Sequence, residues 1–153
     1  MILTICQWLA QRLPFFTIAK DGLAYLTRYY FFLKDRLYAN VFLHHFHRSD
    51  MDMGQGGYGL LHCHPWPGLS FILHGGYIEE RLQKDGSIIK RTVKPFTFNF
   101  IGKNTFHRVD LLDEKVGAWS IFLTGSRKNN TWYFYDRVSH QRIEWNKVAG
   151  AIE

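Results

Sequence analysis

Cysteine is scarce in this sequence. There are two in 153 residues, Cys6 in an apolar N-terminal segment and Cys63 between two histidines. Two such cysteines build no disulfide framework, and a reducing, cytoplasmic setting is the simplest expectation. Long apolar runs are also missing. The start, MILTICQWLAQRLPFF, is apolar, but Arg12 and Pro14 interrupt it well short of the ~20 residues a membrane span needs. No positive stretch precedes it and no small-residue cleavage site follows, so neither a signal peptide nor a membrane span is expected. Dense charge of one sign is absent too. The net charge is +6, but Lys and Arg are scattered, and the tightest grouping, SRKNN at 126–130, is too small for a nucleic-acid face. Nucleic acid is therefore not an expected partner. Finally, there is no 20–50-residue repeat, no low-complexity segment and no linker. The chain reads as one domain.

What is present points to β structure. Hydrophobic residues make up 46% and charged residues 21%, an ordinary globular balance, while aromatics reach 17%. Aromatic and β-branched side chains suit pleated, half-buried surfaces. Ile2, Ile5, Cys6, Leu9 and Leu13 keep helical spacing, and Pro14 ends or kinks that helix. It is expected to pack on the domain, with membrane contact or dimerisation as the lesser alternatives. Residues 19–36 read as a second short helix running into an extended segment, and 1–36 is expected to form a helical N-terminal extension. From 37 to 146 the pattern turns to roughly eight short strands with turn signals every 8–12 residues, which favours a sandwich or barrel. The loop RSDMDMGQGGYG (48–59), the Gly75-Gly76 bend and the Asp85-Gly86 turn punctuate it. Residues 147–153 read as a weakly docked tail.

The chemistry sits in the histidines. His62 and His64 are two apart, so a strand places both on one face roughly 7 Å apart. They are either two alternating polar residues or a pair of metal ligands. A third ligand has to come from another strand, and His107, after an intervening hairpin and a turn, is the candidate. Three imidazoles can each place a nitrogen about 2.0–2.1 Å from one ion.

The order G-x5-H-x-H, apolar strand, glycine, hairpin, turn and single histidine resembles the cupin superfamily, small β-barrels of the jelly-roll type. Gly56, His62, His64 and Gly75 match its first motif. In the second motif only His107 matches. The wider phrases, LHCHPW, LHGGY, HRVDLL and LTG within residues 40–136, resemble a group of small uncharacterised cupin-like proteins. The resemblance implies an all-β fold, a single jelly-roll barrel behind the N-terminal helical extension. It also implies a divalent transition metal on His62, His64 and His107, with Fe2+ favoured and Zn2+, Ni2+ or Mn2+ as alternatives. One departure matters. The first motif usually carries a glutamate where Gly68 and Leu69 stand, and the nearest acids, Glu79 and Glu80, lie past the bend. The expected ligand set is therefore three neutral histidines, as in cupin-type thiol dioxygenases. A dioxygenase-type enzyme acting on a small-molecule ligand, with anionic ligands among the candidates, is the leading expectation. A metal-assisted hydrolase or isomerase, and a non-catalytic binding or structural module, are the alternatives. Homodimers are common among cupins, so one is expected here.

Other residues have plainer expectations. Cys63 points away from the two histidines. His44, His45 and His47 read as edge or rim residues, one of them a possible proton donor near the mouth. His74 is an outer partner of the site or a strand cap, and His140 is at the surface. Trp66 is either a pocket wall or an end plug. Tyr58, Tyr77, Phe98, Trp119, Phe122 and Trp132 alternate as core, with one or two facing a cavity. Arg108 is expected in solvent. Arg81 and Arg91 are expected on a solvated face, or at the pocket mouth binding a carboxylate or phosphate.

Overall fold

The computed structural model describes residues 1–20, 22–32, 38–50, 59–127 and 131–147. Gly56, Tyr58, most of the 48–59 loop, residues 128–130 of the basic grouping and the tail beyond Lys147 lie outside the described residues. Two six-stranded antiparallel sheets make up the fold. The first runs, in spatial order, β1 (Phe15–Lys20), β2 (Leu23–Tyr30), β3 (Asn40–Phe46), β10 (Ala118–Thr124), β5 (Gly68–Gly75) and β8 (Phe98–Ile101). The second runs β12 (Gln141–Glu144), β11 (Tyr133–Asp136), β4 (Leu61–His62), β9 (His107–Leu111), β6 (Tyr77–Leu82) and β7 (Ile88–Val93). Their inner faces meet in a core where Ile72 and Ala118 of the first sheet pack against Tyr77, Val93 and Val109 of the second. This is the all-β double sheet expected of a cupin-like jelly roll, with a helix in front of it.

The helix is α1, Ile2–Ala10. Part of the expected apolar stripe is covered, while Ile5, expected on the same face, is exposed. Cys6 is buried, and Ile2, Leu3 and Leu9 pack with it against Leu43 and Trp119 on the outer face of the first sheet. Below it, Pro14 offers its carbonyl to Tyr30 N at 2.8 Å, which ties the end of the segment to β2.

The second helix expected over residues 19–36 does not form in its described part. The strands Phe15–Lys20 and Leu23–Tyr30 pair as the hairpin β1–β2, with Lys20 paired to Leu23 and Gly22 at φ 74°. Asp21-Gly22 is a hairpin signal, and Thr17, Ile18, Tyr25 and Thr27 favour a strand over a helix. The alternation is clear once seen. Phe16, Ile18, Leu26 and Arg28 border one internal cavity, and β2 continues the sheet through β3.

The later hairpins fall where the turns place them. Leu82 pairs with Ile88 across the Asp85-Gly86 turn. The Gly75-Gly76 bend is a close approach. Gly75 has φ 70°, and a Cβ there would stand 2.0 Å from the Gly117 carbonyl oxygen. Both the backbone conformation and the contact exclude a side chain. Gly75→Ala should therefore lower the unfolding free energy by about 3 kcal/mol or more in urea denaturation. A loss under 1 kcal/mol would mean that the β5–β10 approach is not as tight as described.

One alternation ran opposite to the expected phase. Phe98 was expected in the core, but it is exposed, as are Phe96 and Phe100. The inward positions of that strand are Asn99 and Ile101, both buried. Asn99 is needed inside by the polar network described next, and this fixes the register.

Candidate metal centre

His62, His64 and His107 come together at the cavity between the sheets. His62 closes the two-residue strand β4 and pairs directly with His107 on β9. His64 follows two residues later, on the same side as His62. One nitrogen from each ring lies within 4.8 Å of the other two. Ring centroids are 4.7 Å apart for His62–His107, 4.9 Å for His62–His64 and 5.1 Å for His64–His107. Cys63, between the two, faces away into a cluster with Leu61, Phe106 and Tyr135, as alternation requires.

The donor chemistry fits a cation. His107 Nδ1 lies 2.9 Å from Glu79 Oε1. A carboxylate only accepts, so Nδ1 carries a proton, and the tautomer this selects is the one with its lone pair on Nε2. That Nε2 stands 2.9 Å from His64 Nε2. Two nitrogens each about 2.0–2.1 Å from one ion, with about 90° between them, would be about 2.9 Å apart. Burial pushes the His62 imidazole down to about 4, against a partial opposing pull from Asp50. Burial, with His62 and His107 nearby, holds His64 well below its usual range. Both rings are therefore neutral at pH 7, the form that binds a metal.

The carboxylates missing after His64 are supplied behind the histidines instead. Glu79, fully buried on β6, receives His107 on one side and Arg81 and Arg91 on the other. Burial alone would raise its carboxyl, but the His107 and Arg81 contacts outweigh it and hold it down at about 2. Asn99 completes the network, donating to Tyr77 Oη at 3.0 Å and to Glu79 Oε1 at 3.2 Å and accepting from Arg81 and Arg91. Asp50 faces His62 Nδ1 at 3.5 Å, takes the Tyr25 hydroxyl hydrogen bond, and accepts from Val109 N at 2.7 Å. A carboxylate placed as Glu79 is on His107 orients an imidazole and fixes its tautomer.

Several expectations change accordingly. Arg81 and Arg91 neutralise Glu79 and do not line the cavity; the Arg81 side chain is mostly covered, whereas that of Arg91 stays 40% exposed, in part on the solvated face expected of it. Arg108 is buried and bonded to Asp110 at 2.9 Å. His44 is not at the rim. It is 3% exposed and lines the cavity, stacked on Phe122 with ring centroids 4.6 Å apart. His45 and His47 lie together on the other side of β3, His45 against Trp119 and His47 Nε2 2.9 Å from Thr27 Oγ1. His74 does not line the cavity, and His140 is exposed. Trp66, Tyr77, Phe122 and Trp132 all border the cavity, while Trp119 packs under α1.

Glu79 and Asp50 are the residues that sequence reasoning missed. Glu79 left a trace, since an acid sits in phase with Tyr77 on the inward side of a strand. Asp50 left none, because it lies at the edge of a loop whose path no periodicity reports.

The cavity has a volume of about 380 Å³, within the range of small-molecule sites. The three histidines sit in its wall, and most of the remaining lining is apolar or aromatic.

No protein-family model matches the sequence, and no curated protein matches it. Solved structures do match in shape. HppE in its Fe(II) form aligns with a TM-score of 0.56 at 12% identity, over 74% of this chain. The hydroxypropylphosphonic acid epoxidase from S. wedmorenis aligns at 0.51 and 11% identity, also over 74%. Oxalate decarboxylase from Bacillus subtilis aligns at 0.55 and 8% identity, over 78%. The chain spans 57%, 55% and 28% of those proteins respectively. Identities this low carry the fold alone. These neighbours are cupin-fold proteins, and the chain shares their cupin-type double-sheet fold.

Proposed function

We propose that the chain is a metal-dependent enzyme acting on a small molecule, with His62, His64 and His107 holding one divalent transition metal ion. The observation that carries this reading is the meeting of three imidazoles, from β4, the segment after it and β9, at the wall of one cavity. Fe2+ is the first candidate, with Zn2+, Ni2+ and Mn2+ behind it, because imidazole suits several of these ions. The comparison with HppE in its Fe(II) form supports that order only by fold.

A bound ion keeps its full 2+ charge among three neutral ligands, and so supplies Lewis acidity and, for iron, a redox couple. The rest is the work of the chain. Glu79 holds His107 in one tautomer, with its lone pair turned to the centre. Asp50, itself fixed by Tyr25 and Val109 N, stands 3.5 Å from His62 Nδ1, farther than Glu79 stands from His107. The mostly apolar lining strengthens polar contacts made where a bound ligand has displaced water. Trp66 stands 5.9 Å from the His64 ring and walls the site on that side.

Oxygen-dependent oxidation is the reaction class we favour. In an oxygen electrode, iron-loaded protein should consume O2 when the right organic substrate is added, and His64→Ala should abolish that uptake. Turnover without O2 consumption would move the reading to a metal-assisted hydrolase or isomerase. Binding without turnover would move it to a binding module.

We also propose a cytoplasmic protein, supported by two buried cysteines that are not linked. No described helix is long and apolar enough to cross a membrane. A homodimer is our reading of the oligomeric state, supported by the exposed phenylalanines at 96, 98 and 100 on the edge of the first sheet. Light scattering that returns the mass of one chain would contradict it.

A further inference from the structure

The wall of the cavity holds polar atoms that the metal reading does not use. His44 on β3 lines the cavity and is stacked on Phe42 and on Phe122, with ring centroids 5.5 Å and 4.6 Å apart. It is 3% exposed, yet its Nε2 has no hydrogen-bond partner among the described residues. Ser120, its neighbour on β10, is fully covered, and its Oγ is unpartnered in the same sense. So is the buried indole Nε1 of Trp66, which also lines the cavity. Unpaired polar atoms in a core cost free energy, and they are usually kept where a ligand or a water satisfies them.

These groups are neutral. Burial, with Arg28 adding to it, holds the His44 imidazole well below its usual range, and a hydroxyl or an indole carries no charge. Asp50, Arg28 and Arg127 also border the cavity, but each is already engaged, Asp50 by Tyr25 and Val109 N and the two arginines by partners of their own. Much of the remaining wall is aromatic carbon, from Phe46, Phe122, Trp132, Phe134 and Trp145. Trp132 and Trp145 stack 5.9 Å apart and nearly parallel. Such a wall favours a ring in the ligand, through offset and edge-to-face contacts. A hydroxyl suits the unpaired atoms, because it both donates and accepts. It can take the Trp66 N–H and can pair with His44 in either neutral tautomer.

We propose that the cavity takes a neutral aromatic molecule bearing a hydroxyl group, the hydroxyl hydrogen-bonded to His44 and Trp66 and the ring laid against the aromatic wall. His44 is then a specificity-determining residue and not a metal ligand. A site built to hydrogen-bond a hydroxyl rejects the analogue that lacks it, because the buried partners are left unpaired. A water in the same place would give no such discrimination. The three histidines border the same cavity, so the ligand shares its space with them. The proposal rests on reading the cavity as the substrate site, but its recognition groups are distinct from the metal ligands.

Calorimetric titration tests it with p-cresol, p-xylene and p-toluate, which carry a hydroxyl, a methyl and a carboxylate on one ring, and with the saturated methylcyclohexanol. Each is titrated into metal-loaded and into chelator-treated protein. In both, p-cresol should bind about tenfold tighter than p-xylene, and tighter than p-toluate and methylcyclohexanol. His44→Phe keeps a ring in the stack and removes the nitrogens. It should lower p-cresol affinity by about tenfold and leave p-xylene binding as it was. Trp66→Phe should weaken p-cresol in the same direction. Melting temperatures report folding, and if His44→Phe unfolds the protein, Trp66→Phe decides. Binding of p-xylene, p-toluate or methylcyclohexanol as tight as that of p-cresol would overturn the proposal. So would no binding of any probe, or a p-cresol preference that survives in the folded variants. A p-cresol preference in protein that binds no metal would leave this proposal standing and remove the metal reading. Metal binding without that preference would do the reverse.

Discussion

His107→Ala is expected to lower bound metal from about one ion per chain to a small fraction of that. Of the three proposed ligands, His107 is the one most fixed by its surroundings. It is 3% exposed, it pairs with His62 across β4 and β9, and its Nδ1 is held by Glu79. Its Nε2 is thus presented in place, so a bound ion gains affinity without reordering a side chain. Losing an outer partner of a metal ligand typically costs 10–100-fold in affinity, and losing the ligand itself should exceed about 100-fold. Competition with a chromophoric chelator gives that ratio, and circular dichroism establishes that the variant folds. His140→Ala, at an exposed position outside the cluster, is the control and should keep its metal. If His107→Ala binds metal as the unsubstituted protein does, the ion sits elsewhere.

Glu79→Ala should be the most damaging single change to stability. The carboxylate is fully buried and takes hydrogen bonds from Arg81, Arg91, Asn99 and His107. Replacing a buried ion pair by apolar residues can be harmless, but deleting one partner strands the others. The Arg91 side chain is 40% exposed and can turn to water, whereas that of Arg81 is 19% exposed and cannot do so fully. A loss of about 3–5 kcal/mol in urea denaturation follows. Glu79→Gln keeps the shape and one acceptor for His107 and should lose less. In both variants metal affinity should fall, by about 10–100-fold for alanine, because His107 is no longer locked in its tautomer. Loss of stability without loss of metal affinity would limit Glu79 to a structural role.

The histidine centre was more legible in the sequence than its supports. His62, His64 and His107 follow from strand periodicity and from a hairpin that returns the chain, and such local rules survive folding. The N-terminal hairpin was hidden because Leu, Tyr and Phe from 23 to 32 satisfy helical and strand spacing about equally. Its pairing with β3 decided the matter, and that contact is not local. Arg108, Arg81 and Arg91 were assigned to solvent by their charge. Arg108 is buried and Arg81 mostly covered, while Arg91 stays partly exposed; their partners, Asp110 and Glu79, are ones that only the assembled sheet supplies. His44 is the sharpest case. Strand alternation opposed it to His45, but nothing in the sequence said which of the two faces would be the cavity. The phenylalanines at 96, 98 and 100 show the same ambiguity in reverse, since hydrophobicity pointed inward while the register demanded Asn99 there.

The most direct test of the metal centre is elemental analysis of protein produced without a polyhistidine tag, followed by titration of the chelator-treated chain with Fe2+, Zn2+, Ni2+ and Mn2+. Close to one transition-metal ion per chain is expected, with Fe2+ the first candidate. A rise in melting temperature on reloading is expected too, since an ion that binds only the folded state stabilises it. No bound metal, and no shift in melting temperature with any of the four ions, would contradict the proposed metal centre.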